Sequence, residues 1–332
     1  MILAGDIGGT NSRLAYFQNE NGKLTVAAQG VFPSREHRGL DEIVAKFVET
    51  QKVHPEVACF GVAGPVRNGR VETSNLPWTV EASRLASELD LPSAMLINDL
   101  EANAWGIACL SETDVVPLNR VTGSPAGNQA VISAGTGLGE AGLYWDGKTY
   151  DIFASEGGHC DFAPRSEMEI DLLRYLASRF EHVSVERIVS GPGLVNVYHF
   201  LRDTYGGEEP PWLAEQMLRS DPGATISQAA IAGKSPLAMQ ALELWISIYG
   251  AEAGNLALKL MATGGVYVGG GIAPKIISKL SGPLFLEAFT GKGRLQPLLE
   301  SIPVRVITND KVALFGAARY ASSKRMREVQ NV

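Results

Sequence analysis

Two glycine-rich stretches and one carboxylate set the chemical question. Gly5-Asp6-Ile7-Gly8-Gly9-Thr10-Asn11 follows the apolar run Ile2 to Ala4, and Gly135-Thr136-Gly137-Leu138-Gly139 follows the apolar run Ala130 to Ala134. A turn that holds phosphate needs backbone N–H groups aimed at the anion and no side chains in the way. Glycine meets both needs, and a threonine hydroxyl adds a donor. One such turn alone could equally be a plain hairpin. Two, each placed after an apolar strand-like run, point to phosphate. Asp6 sits in the first stretch, where a carboxylate either serves magnesium, often through water, or caps an Asx turn.

The third feature is Asn98-Asp99, which closes the apolar run Ala94 to Ile97 ahead of a helical pattern. An Asp at the carboxyl end of a buried strand faces the crevice in which open α/β sheets bind ligands; the plainer alternative is a helix N-cap. Asn98 beside it offers a donor and an acceptor suited to a sugar hydroxyl. Glu156-Gly157-Gly158-His159 adds a second polar cluster. Its Glu accepts from hydroxyls, its His donates or accepts, and its glycines let the backbone press against a ligand; otherwise it is a surface loop. Metal binding fits less well there, because no Cys or His cluster accompanies the pair. Glu186, ahead of Ser190-Gly191-Pro192-Gly193, is either a further acidic position or a solvent-facing helix residue. Together these residues would make a polyol pocket.

Two other motifs fail on context. Gly137 to Gly142 matches GxGxxG, but that fingerprint must open a helix, and Leu143-Tyr144-Trp145 before Asp146-Gly147 reads as strand and turn. Ala232-Gly233-Lys234-Ser235 resembles the end of a P-loop, yet Gln228 stands where its first glycine belongs and no strand precedes it.

The elements that must position these residues come in two related sets. Each glycine turn lies at the first bend of a strand meander, closed by Asn21-Gly22 in one case and Asp146-Gly147 in the other. This suggests an internal duplication. After the first meander, helices are expected at Leu40 to Thr50, Glu81 to Leu89 and Leu100 to Cys109, and strands at Val57 to Val62 and Ala94 to Ile97. In the second half, Ser235-Pro236 is a helix start with the pattern running to about Met261. Strands follow at Val266 to Val268 and Val304 to Ile307, and a closing helix at Val312 to Arg319. Alternating strands and helices after a meander give an α/β class with mixed sheets, and two such domains would face a cleft, a preferred ligand site. The Gly-, Pro- and Asn-rich loop over 119–128 is a candidate boundary. Thr204 to Gly223, with Pro210-Pro211, reads as a surface excursion, and the basic tail after Ala321 as a fraying end.

Composition excludes several classes. The chain has 332 residues, 45% hydrophobic and 20% charged, enough for two domains at roughly 100–200 residues each. Its net charge of −7 does not suit nucleic acid, whose phosphates need clustered Lys and Arg. Three cysteines, Cys59, Cys109 and Cys160, without CxxC spacing read as buried free thiols in a reducing compartment. The N-terminus lacks the charge and apolar length of a signal peptide, and no apolar run is long enough for a membrane helix.

In these segments, taken with Gly269-Gly270-Gly271-Ile272-Ala273-Pro274, the sequence resembles bacterial-type glucokinases of the sugar kinase–hexokinase–actin superfamily. The resemblance spans almost the whole chain and keeps the family's order. It implies two ribonuclease H-like α/β domains (the actin-like ATPase fold) flanking a deep cleft, with a small domain of residues 1–110 plus 310–332 and a large one of 111–309. It implies Asp99 as the catalytic base toward the sugar's 6-hydroxyl, and Asn98, Asp99, Glu156, His159 and Glu186 as hexose-binding positions. Gly5, Asp6, Ile7, Gly8, Gly9, Thr10 and Asn11 would form one phosphate loop and Gly135, Thr136 and Gly137 the other. Gly270 and Gly271 would lie near the adenosine, and Ser74-Asn75-Leu76-Pro77-Trp78 resembles a sugar-side loop. ATP with Mg2+, glucose as substrate, a cytoplasmic location and a homodimer follow as expectations, with no nucleic-acid or membrane partner. Only Cys160 follows His159, so the cysteine-rich zinc motif of the related repressor-type kinases is not expected, and no helix-turn-helix stands ahead of Gly5. Kinases of other hexoses, an actin-like ATPase and a sugar sensor without turnover remain the alternatives, and a donor other than ATP is conceivable.

Overall fold

The computed structural model describes residues 1–20, 22–73, 76–121 and 126–330, with 325–330 described in backbone only. Asn21, Ser74, Asn75 and residues 122–125 of the 119–128 loop lie outside the described residues. The chain forms two compact units, Met1–Asp114 with Asn309–Val332, and Val115–Thr308.

In the first unit, Ile2–Ile7 (β1), Asn11–Glu20 (β2) and Lys23–Pro33 (β3) form an antiparallel meander. Leu40–Gln51 (α1) leads to Val57–Val62 (β4), which runs parallel to β1. A small hairpin of Arg70–Glu72 (β5) and Thr79–Glu81 (β6) precedes Ala82–Glu88 (α2). Met95–Asn98 (β7) then pairs parallel with β4 and runs into Asp99–Ile107 (α3). The sheet order is β3-β2-β1-β4-β7.

Both faces of this sheet are covered, so β1 and β4 read as continuous apolar runs. Leu3, Ile7, Phe60 and Val62 pack with Ile43, Val44 and Phe47 of α1. Ile2, Ala4 and Cys59 point to the other face, onto Ala313, Leu314, Ala317 and Ala318 of the C-terminal helix, Val312–Gln330. Period-two alternation along β1 thus divides one strand between two cores. The helix continues past Arg319, where the sequence pattern stopped and a fraying tail was expected. Ala313, Ala317, Ala318 and Ala321 carry its packing.

The second unit repeats the scheme. Val115–Pro117 (β8) is followed by the meander Gln129–Ala134 (β9), Leu138–Trp145 (β10) and Tyr150–Ser155 (β11). Helices follow at Glu167–Ala177 (α4), Gly191–Tyr205 (α5), Pro211–Arg219 (α6), Pro222–Ile231 (α7) and Pro236–Leu260 (α8). Gly265–Gly269 (β12) pairs parallel with β9, and Val304–Ile307 (β13) parallel with β12. Short helices Ile277–Leu280 (α9), Pro283–Thr290 (α10) and Gln296–Glu300 (α11) lie between those two strands. The sheet order is β11-β10-β9-β12-β13-β8, the same meander plus two parallel strands as in the first unit, with β8 added antiparallel at the edge.

α8 forms the spine of this unit. Ser235 caps it by accepting from the Ala238 N–H at 3.2 Å, and Met261 ends it in the left-handed region at φ 47°. Trp245 donates to the Ser190 carbonyl at 3.2 Å and Tyr249 to the Ile132 carbonyl at 3.2 Å. These bonds tie the helix to α5 and β9 and satisfy the polar ends of two fully buried aromatics.

One reading gains detail, since 204–223 lies mostly at the surface as expected, and one needs correction. The stretch from Thr204 to Gly223 is largely helical, because Pro211 and Pro222 each occupy a first helical turn, where a missing N–H costs nothing. Cys160 is exposed and Cys109 half-buried, and of the three thiols only Cys59 is buried. Small or apolar neighbours in sequence did not bring neighbours in space to Cys160.

Candidate active site

The first unit gathers Asp6, the Gly8–Thr10 turn and Asp99 at the carboxyl end of its parallel strands. Asp6 is not on the turn, as its motif suggested, but in β1, directly opposite Arg13 of β2. Gly8-Gly9-Thr10 makes the bend, with the Gly8 N–H donating to the Asn11 carbonyl at 3.1 Å and the Ser34 hydroxyl to the Gly8 carbonyl at 2.7 Å. Gly5 and Ile7 lie inside β1 and Asn11 starts β2. The next strand over, β4, carries Gly61 opposite Asp6. A Cβ on Gly61 would lie 2.8 Å from that of Ala102 and 3.8 Å from the Asp99 Cα, so the bare glycine lets the start of α3 close onto the sheet.

The N-cap of α3 is Asn98, not Asp99. Its Oδ1 accepts from the Leu100 N–H at 2.8 Å and the Glu101 N–H at 3.4 Å, and its Nδ2 donates to the Gly64 carbonyl at 3.1 Å. Asn98 therefore spends most of its amide on holding the helix start. Asp99 is the first helical residue, where the positive end of the helix dipole favours a carboxylate.

Charge couples the two acids. Burial, then the charges of Asp99 and Asp310, push the Asp6 carboxyl up to about 6 against the pull of Arg13. The Arg13 guanidinium is 3.9 Å from Asp6 and is claimed more closely by Asp310, at 3.0 Å to its carboxylate and 2.8 Å to its carbonyl. Asp6 keeps 24% of its side-chain exposure, so water tempers the shift. Neither Arg13 nor Asp310 stood out in the sequence; Arg13 stands opposite Asp6 because the register pairs Ile7 with Ser12.

Hard carboxylate oxygens with room for water suit Mg2+. Among the described residues no group of three or more His, Cys, Asp or Glu is placed to hold a metal. Asp6 fits an ion that takes most of its shell from phosphates and water.

The second unit places Gly135–Gly137 between β9 and β10, closed by the Gly135 N–H donating to the Gly137 carbonyl at 2.8 Å. A side chain on Gly135 would meet nothing within 4 Å, which leaves its face open to an anion. Leu138 and Gly139 already belong to β10, and no helix follows, so the GxGxxG match lies in a strand. The Gly270 turn lies alongside. It has φ 84°, and a Cβ there would strike the Ala134 carbonyl. The Ile272 N–H donates to that carbonyl at 3.3 Å, so Gly270 and Gly271 are held beside the first glycine turn of this unit.

Glu186 sits in the single helical turn Val185–Arg187, half-buried rather than solvent-facing, and it is not remote from the glycine turn. Its Oε2 accepts from the Leu138 N–H at 2.8 Å and fills the space beside Gly137 that a Cβ would need. Ser190 holds its backbone by donating to the Glu186 carbonyl at 2.7 Å, while capping α5 through the Gly193 N–H at 2.9 Å. Glu156 precedes, and His159 ends, the single turn Gly157–His159. Their side chains are 65% and 60% exposed, with Oε2 and Nε2 3.9 Å apart. Gly157 and Gly158 beneath them are buried.

The family model for Glucokinase matches residues 3–324. A glucokinase of Nostoc sp. is 44% identical over 97% of this chain and 99% of its own length. One of Yersinia enterocolitica is 35% identical over 97% and 96%. The crystal structure of a glucokinase from an Antarctic psychrotroph superposes with a TM-score of 0.83 at 30% identity, covering 97% of this chain and 98% of the other. With that agreement in sequence and in mixed α/β fold from end to end, the chain belongs to the glucokinase family.

Proposed function

We infer that this protein transfers the γ-phosphoryl group of ATP to the 6-hydroxyl of glucose, giving glucose 6-phosphate and ADP, the first step of glycolysis. The observation that carries the reading is Asp99, held at the start of α3 by the Asn98 cap and coupled in charge to Asp6, in a chain of the glucokinase family.

In this reading Asp99 accepts the proton of the 6-hydroxyl as that oxygen attacks the γ-phosphorus. The bond from the γ-phosphorus to the β–γ bridging oxygen breaks, and ADP leaves with the electron pair. Asn98, Glu156, His159 and Glu186 hold the sugar hydroxyls. The Gly8–Thr10 and Gly135–Gly137 turns hold the phosphates, Gly5, Ile7 and Asn11 support the first of them, and Gly270 and Gly271 face the adenosine. Asp6 would hold magnesium through water, and the chemistry it supplies is charge neutralisation on the phosphate oxygens. Positioning and electrostatics carry most of phosphoryl transfer, which is why a rigid helix cap and two fixed turns matter more than reactive side chains.

We further propose that the two units are the paired ribonuclease H-like domains of the actin-like fold; their shared strand order supports this. A cytoplasmic homodimer is proposed on the family resemblance. Among the described residues no helix is long and apolar enough to cross a membrane.

A coupled assay for hexose 6-phosphate with ATP, magnesium and glucose, mannose or fructose tests the reading. Glucose is expected to be turned over with the highest kcat/KM. Preference for another sugar would move the substrate, and ATP hydrolysis indifferent to sugar would overturn the kinase reading.

A further inference from the structure

Under the turn that carries Glu156 and His159 lies a second glutamate that the reaction above does not use. Glu140 is on β10, directly opposite Ser155 of β11, and only 1% of it is exposed. Its Oε2 fills the space in which a side chain on Gly157 would begin, so the glycine backbone rests on the carboxyl group. Its Oε1 is buried with no hydrogen-bond partner. An ionised carboxylate in that state is costly, yet it stands next to the sugar turn.

The opposite wall is α8. Glu252 faces Glu140 from it, 6% exposed, accepting from Asn255 Nδ2 at 2.8 Å and from Lys259 Nζ at 3.4 Å. Tyr249 of the same helix is committed to the Ile132 carbonyl. Behind Glu252, Lys292 donates to the Ala251 carbonyl at 2.9 Å and to Asn255 Oδ1 at 2.5 Å, with Arg165 and Glu169 in electrostatic reach of it. On the near side Glu156 follows Ser155, the residue opposite Glu140, and His159 ends the turn.

We propose that Glu140 is a positioning residue of the sugar-binding turn, acting through Gly157 on Glu156 and His159. The inference rests on the reading of those two residues as sugar-binding.

Burial, then the charge of Glu252, push the Glu140 carboxyl up to about 7, with Lys259 opposing. The neutral carboxyl suits the pocket as it stands. Once ionised, the group must recruit donors, and its walls differ in stiffness. The β9–β10–β11 ladder and α8 are fixed by regular hydrogen bonding. The Gly157–His159 turn is held by single bonds, Gly157 N–H to the Ser155 hydroxyl, His159 N–H to the Glu156 carbonyl and Cys160 N–H to the Gly157 carbonyl, each at 3.0 Å. The turn yields first, and Glu156 and His159 move with it. Glucose binding therefore weakens as pH rises through neutrality, while kcat is spared.

The test is KM for glucose and kcat between pH 6 and 8.5 for the wild type, E140Q, E252Q and, as a control on the site, E156A. Wild-type KM is expected to rise across that range, by about tenfold if sugar binding displaces the Glu140 pKa by one unit. E140Q keeps the shape without the charge, so its KM should stay at the low-pH value while its kcat profile follows the wild type. E252Q removes the neighbouring charge and should move the midpoint of the KM profile to lower pH; it carries the test if E140Q does not fold. A flat wild-type profile, an E140Q profile that still rises like the wild type, or an E252Q midpoint left in place overturns the proposal. If E156A leaves KM unchanged, the sugar-site reading fails. If E156A raises KM while E140Q behaves as the wild type, only the role of Glu140 fails.

Discussion

Replacing Asp6 with Asn should stabilise the ligand-free protein at neutral pH while impairing phosphoryl transfer. The carboxyl is raised from 3.8 to about 6, by burial first and then by Asp99 and Asp310, with Arg13 opposing. A raised carboxyl means that the folded state holds the proton more tightly than the unfolded chain does. Well below pH 4 both states are protonated and Asp6 is neutral to stability. As pH climbs from about 4 to 6 the unfolded state ionises freely and the folded state does not, so stability is lost; above about pH 6 the full cost is present. At ~1.4 kcal/mol per tenfold, the ceiling is about 3 kcal/mol, and the 24% exposure of the side chain places the expected gain for D6N at about 1–3 kcal/mol. Arg13 keeps Asp310 at 3.0 Å, so the substitution does not strand it. Urea unfolding of both proteins without ligand at pH 4 and pH 8 gives the difference directly. D6N should exceed the wild type by only about 0.5 kcal/mol at pH 4 and by the full amount at pH 8. An equal difference at both values, or a less stable D6N at pH 8, would refute the reasoning.

Other outcomes can be checked in parallel. Asn98→Ala removes the α3 cap and should cost about 1 kcal/mol in urea unfolding, with a fall in kcat because Asp99 loses its seat. Asn98→Asp keeps an acceptor for the cap and should recover most of that stability. Gly137→Ala drives a methyl into the Glu186 carboxylate and displaces it from the Leu138 N–H, so kcat/KM for glucose should fall by about tenfold or more with the fold intact by circular dichroism. Cys160, the exposed thiol, should react with a thiol reagent in the native protein. Cys59, buried and pushed well up by burial, should react only on unfolding. Cys160→Ser should change stability by less than about 0.5 kcal/mol.

Much of this was legible in residue patterns, for local reasons. Val57–Val62, a short apolar run covered on both faces, and Val304–Ile307, apolar but for Arg305, fall where the pattern put them. The start of α8 was written in Ser235-Pro236, a cap followed by a residue that needs no N–H donor. The paired glycine turns pointed to a repeat that reappears in the two strand orders. What stayed hidden depends on contacts distant in sequence. Nothing local joins Glu186 to Leu138, 48 residues away, or says that Asn98 and not Asp99 would take the cap. Glu140 carries a signal, a lone acid inside the apolar stretch Leu138–Leu143, masked by its place in a GxGxxG match. The helices within the surface stretch 204–223 were not legible because the same residue that breaks a helix also begins one.

The central claim, that Asp99 takes the proton of the 6-hydroxyl during transfer to glucose, is tested most directly by Asp99→Asn. The variant keeps an acceptor at the position that accepts from the Leu100 N–H at 3.0 Å, so α3 should fold. Glucose 6-phosphate formation is measured in a coupled assay and glucose binding by calorimetry on the same preparation. The account predicts that kcat falls by about a hundredfold or more while the glucose Kd stays within about threefold. A folded D99N protein that binds glucose and turns over at a near-normal rate would contradict it.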